Sequence, residues 1–315
     1  MEYKISTRTV IASINVEFKI HDIYESLPAL TLDDRYQQQY LALLPVKKRR
    51  GRRKKTEDSL SILKTELDSL ISLKAGDIVA VYFRNNKKGL PQYLKYGAKF
   101  FRNALNIVMM IQPTKRINLK LSQNGKIQMT GCKHEDDAKQ CLKYLFKHLY
   151  ANCRDSIVPK HDKANKQLEI CYFTVMTNLD FNIGFHINRQ KLNNLVNGKT
   201  VFNSLLETSF GYTGVNIKIE VPYDPEIGID RIILDKQPSS WDWNESKLDY
   251  EEYLKTGGES YFQTEKHKRR YNTFLVFHSG NIIMSGMRLD KMIEHFKDFC
   301  EFLKSHRDEI EEHLA

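Results

Sequence analysis

Apolar and polar residues alternate at residues 9–16 and 172–179, a period of two that is typical of β-strands with one buried face, and further strands are predicted after each of them. The predicted strands cover residues 9–16, 105–111, 172–179 and 214–221. Apolar residues recur instead at helical spacing in two longer stretches, and shorter helices are predicted after the first and third strands. The predicted helices cover residues 21–30, 135–150, 188–196 and 289–305. Strands and amphipathic helices in this arrangement indicate an α+β protein.

The chain also contains two pairs of similar segments that occur in the same order. INVEFKI at residues 14–20 resembles TNLDFNI at 177–183, and NGKIQMTG at 124–131 resembles SGNIIMSG at 279–286. In these comparisons Asn15 matches Asn178, and Thr130 matches Ser285. The offsets, 163 and 155 residues, are close enough to indicate one duplicated unit with different insertions.

Each predicted repeat consists of a strand, a helix, several antiparallel strands and a second helix. The first repeat covers residues 1–155 with an insertion at about 36–95, and the second covers 165–315 with an insertion at about 223–270. The pairs Asn124-Gly125 and Ser279-Gly280 predict tight hairpin turns. Helices on only one face would leave the other face of the sheet free.

Alternation predicts which face of the sheet each side chain near the second hairpin occupies. Four residues are expected to face the helices: Phe274, Val276, Ile282 and Met284. Four others are left on the free face: Leu275, Phe277, Ile283 and Ser285. In the first repeat, a gapless comparison places Lys120 opposite Leu275 and Ser122 opposite Phe277, with Leu119 and Leu121 facing the core. A bulge near Gln123 would instead bring Leu121 to the free face.

The charge is unevenly distributed over the 315 residues, whose formal net charge is +10. The run at residues 47–55 contributes +8, residues 223–262 contribute −6, and the remainder carries +8. A basic body raises encounter rates with polyanions such as nucleic acid. The basic run fits a solvated loop, a nuclear import signal or a phosphate-binding arm. The acidic segment fits a surface insertion or a DNA mimic that shields a basic site.

Several classes of protein and site are excluded by the pattern of residues. Five cysteines without C-x-x-C spacing predict neither a zinc site nor a disulfide framework, and they indicate a reducing environment. No apolar stretch approaches the roughly 20 residues of a membrane helix, and the N-terminus lacks the apolar core of a signal peptide. Gly198-Lys199-Thr200 is not a phosphate-binding loop, because Asn193 stands where that motif requires glycine. The acidic residues after His134 are interpreted as a helix start rather than a metal site. We therefore expect no enzyme, cofactor or metal.

Four segments carry a resemblance to a known family: VIASINV, FTVMTNLDF, GKIQMTGCKHEDDAK and FLVFHSGNIIMSG. They resemble the TATA-binding protein family, in a divergent form of the kind that large DNA viruses carry. The resemblance implies two repeats that form a curved antiparallel sheet, a saddle with helices on its convex face. It also implies an intracellular location, in the nucleus or in a cytoplasmic viral factory.

The resemblance further implies residues that contact DNA. The minor groove presents mainly acceptors, so the amides of Asn15 and Asn178 would favour A·T steps, with the hydroxyls of Thr130 and Ser285 beside them. Phe277 corresponds to a wedge residue of the family, and Tyr212 falls at the second wedge position. The alternatives are that each Asn closes a strand end and that Phe277 belongs to the core.

The first repeat departs from this pattern. Ser122 and Lys120 replace the apolar residues of the second repeat, Gln128 stands opposite Ile283, and the other wedge position lies within residues 101–103. We therefore expect asymmetric bending of DNA, stronger at the second repeat. Before Tyr212 only Glu207 remains of the acidic residues that the family offers to a general initiation factor, which puts that contact in doubt.

The sequence therefore predicts a transcription initiation factor that binds and bends A·T-rich promoter DNA through the minor groove. Its expected partners are duplex DNA, a general transcription initiation factor and the RNA polymerase machinery, without a membrane. One alternative is a saddle-shaped interaction scaffold in a transcription complex, with weak or no DNA binding. A DNA glycosylase is a further alternative, although the helical catalytic domain of those enzymes is missing.

Overall fold

The computed structural model describes residues 2–32, 72–95, 103–160, 167–199, 203–206, 214–221, 228–235, 243–255 and 270–312, together with residues 38, 62 and 65. In chain order the elements are β1 (Lys4–Ile14), β2 (Val16–Phe18), α1 (Ile20–Ser26), β3 (Ile78–Phe83), β4 (Asn86–Gly89), a 3₁₀ turn (Pro91–Tyr93), β5 (Ala104–Gln112), β6 (Lys115–Ser122), β7 (Lys126–Cys132), α2 (Asp136–Asn152), a 3₁₀ turn (Arg154–Ser156), β8 (Ile157–Pro159), β9 (Gln167–Asn182), α3 (Arg189–Lys199), β10 (Asn203–Leu206), β11 (Gly214–Val221), β12 (Ile229–Asp235), β13 (Trp243–Leu248), α4 (Tyr250–Lys255), β14 (Arg270–Phe277), β15 (Asn281–Gly286), α5 (Leu289–Ser305) and α6 (Arg307–Ile310).

The predicted elements are present, and the α+β class with antiparallel strands is confirmed. Both hairpin turns form, with Gly125 and Gly280 at φ angles of 81° and 78°. The helix predicted at residues 21–30 ends earlier, at Ser26. Leu27 is already extended because the residue before a proline, here Pro28, disfavours the helical conformation. Within the described residues, no helix is long and apolar enough to cross a membrane.

The chain divides into two compact units. The C-terminal unit comprises Met1–Ile11, Cys171–Arg231 and Glu245–Ala315, and the N-terminal unit comprises Ala12–Ile170 and Ile232–Asn244. Strands β1 and β9 each contribute residues to both units. Apart from β1, the strand order is β10-β11-β14-β15-β9 in the C-terminal unit and β7-β6-β5-β3-β4 in the N-terminal unit.

The core of the C-terminal unit lies between one face of its sheet and the helices α3 and α5. Leu192 and Val196 of α3 and Phe299 of α5 are fully buried against residues of β9, β11, β14 and β15. The rings of Phe274 and Phe299 lie 4.1 Å apart, and those of Phe181 and Phe296 lie 4.8 Å apart. Both helices pack on the same face, and within the described residues no helix covers the opposite face of this unit, as the sequence predicted.

The N-terminal unit differs from that expectation, because part of its second face is covered. Helix α2 packs on one face of the sheet, against β5 and β7, and its Phe146 ring lies 6.5 Å from that of Phe18 on β2, which pairs with β8 in a separate two-stranded sheet. On the opposite face, at the outer strands β3 and β5, a second apolar cluster has formed. Its buried members are Val79, Ala80, Tyr82, Leu90, Leu94, Val108 and Met110, with Leu30, Leu32, Leu73 and Tyr93 packed against them. We call the segments that supply Leu30, Leu32, Leu73 and residues 90–94 the cover.

The acidic insertion packs on the helix side of the C-terminal unit. Leu248, Tyr250 and Tyr253 form an apolar cluster with Cys171 and Phe173 of β9. Met287, which directly precedes the N-cap of α5, packs against the same cluster, and Lys143 Nζ of α2 lies 5.6 Å from the centroid of the Trp243 ring. The described part of the insertion therefore lies on the helix side, which favours the surface-insertion interpretation over the DNA mimic.

Candidate nucleic-acid interface

The face of each sheet that is turned away from the helices is here called the open face. In the C-terminal unit, four side chains are buried against the helices as the alternation predicted: Phe274, Val276, Ile282 and Met284. Four half-buried side chains lie on the open face: Leu275, Phe277, Ile283 and Ser285. The register places Leu275 beside Ile283 and Ser285 beside Asn178. The structure thus brings these predicted site residues together on one surface.

Phe277 lies at the end of β14, opposite Gly214 on β11. Its half-buried ring lines a concavity of about 970 Å³ that is also lined by Lys4 and Arg189. A Cβ on Gly214 would lie 2.7 Å from the side chain of Leu275, so glycine here leaves the space that Leu275 occupies. The sequence interpretation missed Gly214, Lys4 and Arg189, since no motif marks them.

The side-chain amide of Asn178 is enclosed within the open face. Its backbone carbonyl accepts a hydrogen bond from Ser6 Oγ at 3.3 Å. Its side-chain Oδ1 is shielded from solvent and has no hydrogen-bond partner among the described residues. A buried polar atom without a partner costs about 1–3 kcal/mol, and only a group that donates a hydrogen bond to this oxygen would recover that free energy.

The amide of Asn15 is instead engaged by the backbone of β9. Nδ2 donates to the carbonyl oxygen of Gln167 at 3.0 Å, and Oδ1 accepts from the backbone N–H of Glu169 at 2.9 Å. These two bonds bridge the break between β1 and β2. Asn15 therefore performs the strand-closing role that the sequence interpretation held open as its alternative.

Backbone hydrogen bonds around the two hairpins correct the sequence comparison. The N–H of Ile14 donates to Gly125 O, and the N–H of Ile183 donates to Gly280 O, both at 3.0 Å. The bonds from Phe18 to Gln123 O and from Ile187 to His278 O, at 2.8 and 2.9 Å, repeat the same relation. Since the two hairpins correspond, Ile14 corresponds to Ile183, six residues further along than the sequence comparison placed it.

The prediction that Asn15 and Asn178 occupy matching positions is therefore wrong. Asn15 corresponds to Gly184, and Asn178 corresponds to Thr9, which is buried. A shift of six residues is even, so every side chain keeps its face of the strand. The period-2 pattern could not detect the error for that reason.

The gapless comparison of the first repeat with the second is confirmed by the register. Lys120 pairs with Asn106 and Gln128, just as Leu275 pairs with Asn216 and Ile283. The alternative with a bulge near Gln123 is wrong, because Leu121 pairs with Leu105 and Ile127 and is fully buried. Four predicted site residues lie half-buried on this open face: Lys120, Ser122, Gln128 and Thr130.

The cover is the main feature that the sequence interpretation missed. Its signal was present in β3, whose six residues IVAVYF are apolar without interruption and are all buried. An unbroken apolar run is typical of a strand buried on both faces. Tyr212, Glu207, the basic run 47–55 and residues 101–102 lie outside the described residues.

Electrostatic contacts near His134 confirm the helix-start interpretation. Asp137 is buried, forms an ion pair with Lys115, and accepts the backbone N–H groups of Lys133 and His134 at 2.6 and 2.8 Å. Burial acts to raise the pKa of Asp137, but the bonds from Lys115 and from the two N–H groups hold it below its ordinary value. Among the described residues, no group of His, Cys, Asp and Glu could hold a metal ion.

Comparison with known proteins supports the resemblance stated from the motifs. No protein-family model matches the chain. The chain is 26% identical over 229 residues to the uncharacterized protein 335L of Invertebrate iridescent virus 6, covering 72% of this chain and 66% of the relative. It is 28% identical over 236 residues to the TATA-box-binding protein-like protein of Acanthamoeba polyphaga mimivirus, covering 69% and 54%. The matches thus span less than two thirds of either relative.

Among solved structures, the Methanococcus jannaschii TBP aligns over 97% of this chain and 99% of its own, with 11% identity and a TM-score of 0.44. The sequence match to the mimivirus protein confirms the resemblance to the TATA-binding protein family, in its divergent viral form.

Proposed function

We propose that the protein is a transcription initiation factor that binds A·T-rich duplex DNA in the minor groove and bends it. The observation that carries this proposal is the open face of the C-terminal unit. There Leu275, Phe277 and Ile283 form a half-exposed apolar surface next to the polar side chains of Asn178 and Ser285. The two repeats, residues 1–155 and 165–315, remain part of the proposal, as do the site residues outside this face other than Asn15.

The apolar side chains of this face suit a binding mode in which the minor groove of DNA is widened. Inserting an apolar side chain between base steps costs a few kcal/mol of unstacking, which is offset by the additional contact that bending allows. Phe277 lies at a strand end beside a concavity, where its ring can reach a base step. The Nδ2 group of Asn178 and the hydroxyl of Ser285 are donors at neighbouring positions, and the acceptors of A·T steps can receive hydrogen bonds from them. Asn15 is not included, since its amide is bonded to β9.

The proposed partners are A·T-rich promoter DNA, a general initiation factor and RNA polymerase, in the nucleus or a cytoplasmic viral factory. The mimivirus relative is named TATA-box-binding protein-like, which supports a role in transcription. An enzymatic activity is not part of this proposal.

Replacing the wedge tests the proposal. Phe277→Ala is expected to reduce the bend of an A·T-rich duplex, measured by energy transfer between end labels, while the salt dependence of binding stays unchanged. The matched control is Tyr3→Ala, because Tyr3 is 36% exposed and its ring packs on the helix side, 5.2 Å from Phe296. An unchanged bend in Phe277→Ala would reject Phe277 as the wedge.

The cover favours a second candidate function, an interaction scaffold with weak or no DNA binding. It occupies part of the open face of the N-terminal unit, which removes that part from contact with a duplex. Fluorescence anisotropy with an A·T-rich duplex distinguishes the two candidates, since the scaffold would not bind DNA even at low salt.

A further inference from the structure

The central strands of the N-terminal unit carry positive charge without carboxylates. Strands β5, β6 and β7 contain no Asp or Glu. Arg116, Lys120 and Lys126 occupy open-face positions on β6 and β7, because the residues that alternate with them are buried towards the helices. We call these three residues the cationic strip.

The cover borders this strip and positions one of its cations. The Arg116 guanidinium carbon lies 5.4 Å from the centroid of the Tyr93 ring. Tyr93 is itself held in place, because its carbonyl oxygen accepts a hydrogen bond from Tyr82 Oη at 2.9 Å. The Tyr82 hydroxyl also accepts from the backbone N–H of Lys95 at 2.7 Å. A guanidinium stacked on a ring keeps its N–H edge available for a planar or tetrahedral anion.

The same face lacks the apolar side chains that distinguish the C-terminal unit. Ser122 and Lys120 stand at the register positions of Phe277 and Leu275, and Gln128 stands at that of Ile283. At the outer strands, Tyr82 and Val108 are buried under the cover. This face therefore offers cations and amides where the C-terminal unit offers apolar groups.

We propose that the cationic strip binds the phosphate backbone of duplex DNA without inserting into the groove, so the two units contact DNA by different chemistry. The inference rests on the proposed function and specifies one part of it. Phosphate contacts contribute affinity and orientation but carry no sequence information. The strip should therefore strengthen binding to any duplex, whereas the preference for A·T steps and the bend arise in the C-terminal unit.

The test removes two cations of the strip. Arg116→Gln combined with Lys120→Gln is compared with the unaltered protein, and affinity is measured by fluorescence anisotropy across a series of salt concentrations. The logarithm of the association constant falls linearly with the logarithm of the salt concentration, and each phosphate contact contributes about 0.9 to the steepness of this line. Removing two contacts should therefore make the slope less steep by about 2. Binding to A·T-rich and G·C-rich duplexes of equal length should weaken by the same factor.

Two further variants control for folding and for overall charge. Arg116→Lys with Lys120→Arg keeps the charges and should keep the slope. Lys147→Gln with Arg154→Gln removes the same charge at exposed positions on α2 and the turn after it, and should leave the slope unchanged.

The outcomes separate this inference from the proposed function. Suppose that the unaltered protein binds duplex DNA. If the variant without Arg116 and Lys120 keeps the salt slope of the unaltered protein, the strip does not contact phosphates. The same conclusion follows if the variant without Lys147 and Arg154 shows an equally reduced slope. If the strip variant loses binding to the A·T-rich duplex alone, the strip contacts bases and the inference is again wrong. If the unaltered protein binds no duplex at low salt, both proposals fall.

Discussion

An amide side chain within a sheet either completes the protein's own hydrogen bonding or remains available to a ligand. Asn15 shows the first case, with bonds of 3.0 and 2.9 Å to the backbone of Gln167 and Glu169. Asn178 is assigned to the second, since its Oδ1 has no partner among the described residues and its Nδ2 can donate to the acceptors of an A·T step. The two residues should therefore respond to substitution in different ways.

Replacing each asparagine by alanine separates stability from recognition. Asn15→Ala removes two hydrogen bonds and leaves backbone groups of β9 unpaired, so the free energy of unfolding should fall by about 1–3 kcal/mol. Its preference for A·T over G·C duplexes should not change. Asn178→Ala should instead reduce that preference by about 1–3 kcal/mol per lost base contact, with little loss of stability. Urea denaturation and anisotropy with the two duplexes measure both quantities.

The control is Asn244→Ala, because Asn244 is an exposed amide on β13 of the acidic insertion and belongs to neither open face. It should change neither quantity. A loss of A·T preference in Asn15→Ala would show that its amide leaves β9 to contact DNA, contrary to the role assigned here.

The sequence could identify the faces of side chains but not the correspondence between the repeats at β1 and β9. Alternation placed Leu275, Phe277 and Ser285 on the open face, and this was confirmed because each strand must keep one face on the core. The same alternation is unchanged by any even shift, so Asn15 matched Asn178 by chance similarity. Only the bonds from Ile14 to Gly125 and from Ile183 to Gly280 fixed the true alignment.

At the scale of elements, the hairpin turns anchor each sheet to the strand beside it. A Cβ on Gly125 would lie 2.2 Å from Val16 O, and a Cβ on Gly280 would lie 2.3 Å from Phe185 O. Both glycines also adopt positive φ angles. Each turn therefore requires glycine for two reasons: its left-handed conformation and the close approach of a neighbouring backbone.

Gly280→Ala is expected to lower the free energy of unfolding by more than about 2 kcal/mol. The left-handed conformation alone costs roughly 1–2 kcal/mol with a side chain, and the clash with Phe185 O involves backbone that cannot move aside easily. The matched control is Gly198→Ala in α3, where nothing lies within 4 Å of the added Cβ. Alanine there should stabilise the protein by up to about 1 kcal/mol. Equal stability of the two variants in thermal denaturation would contradict the assigned turn.

Elements within a repeated block were predictable, whereas the cover was not. Helix α5 and strand β11 have the predicted bounds, because amphipathic periodicity and flanking residues define them locally. The cover depends on residues 90–94 folding over β3 and β5, a contact between segments that carry no shared pattern. Interpreting residues 36–95 as an insertion concealed that part of it supplies a strand of the sheet.

At the scale of the whole molecule, the two units distribute their buried surface differently. Strand β3 of the N-terminal unit is buried on both faces, while β14 of the C-terminal unit alternates between buried and half-buried residues. Within the described residues, the same architecture thus provides one face that its own chain partly covers and one face that it leaves open. An open apolar face lowers stability, so its presence in the C-terminal unit is expected where a ligand is bound.

This difference predicts the order in which the strands exchange amide hydrogens. Opening β3 exposes Tyr82 and Ala80 beneath the cover as well as Val81 and Phe83 on the helix side. Opening β14 exposes new apolar surface on the helix side only. Since burying one large side chain contributes about 2 kcal/mol, amides of β3 and β5 should exchange at least about tenfold more slowly than those of β14 and β15. Hydrogen exchange measured by mass spectrometry on the DNA-free protein tests this order.

Slower exchange in β14 than in β3 would mean that the cover adds no stability. Adding an A·T-rich duplex should slow exchange in β14 and β15 if the open face of the C-terminal unit binds it.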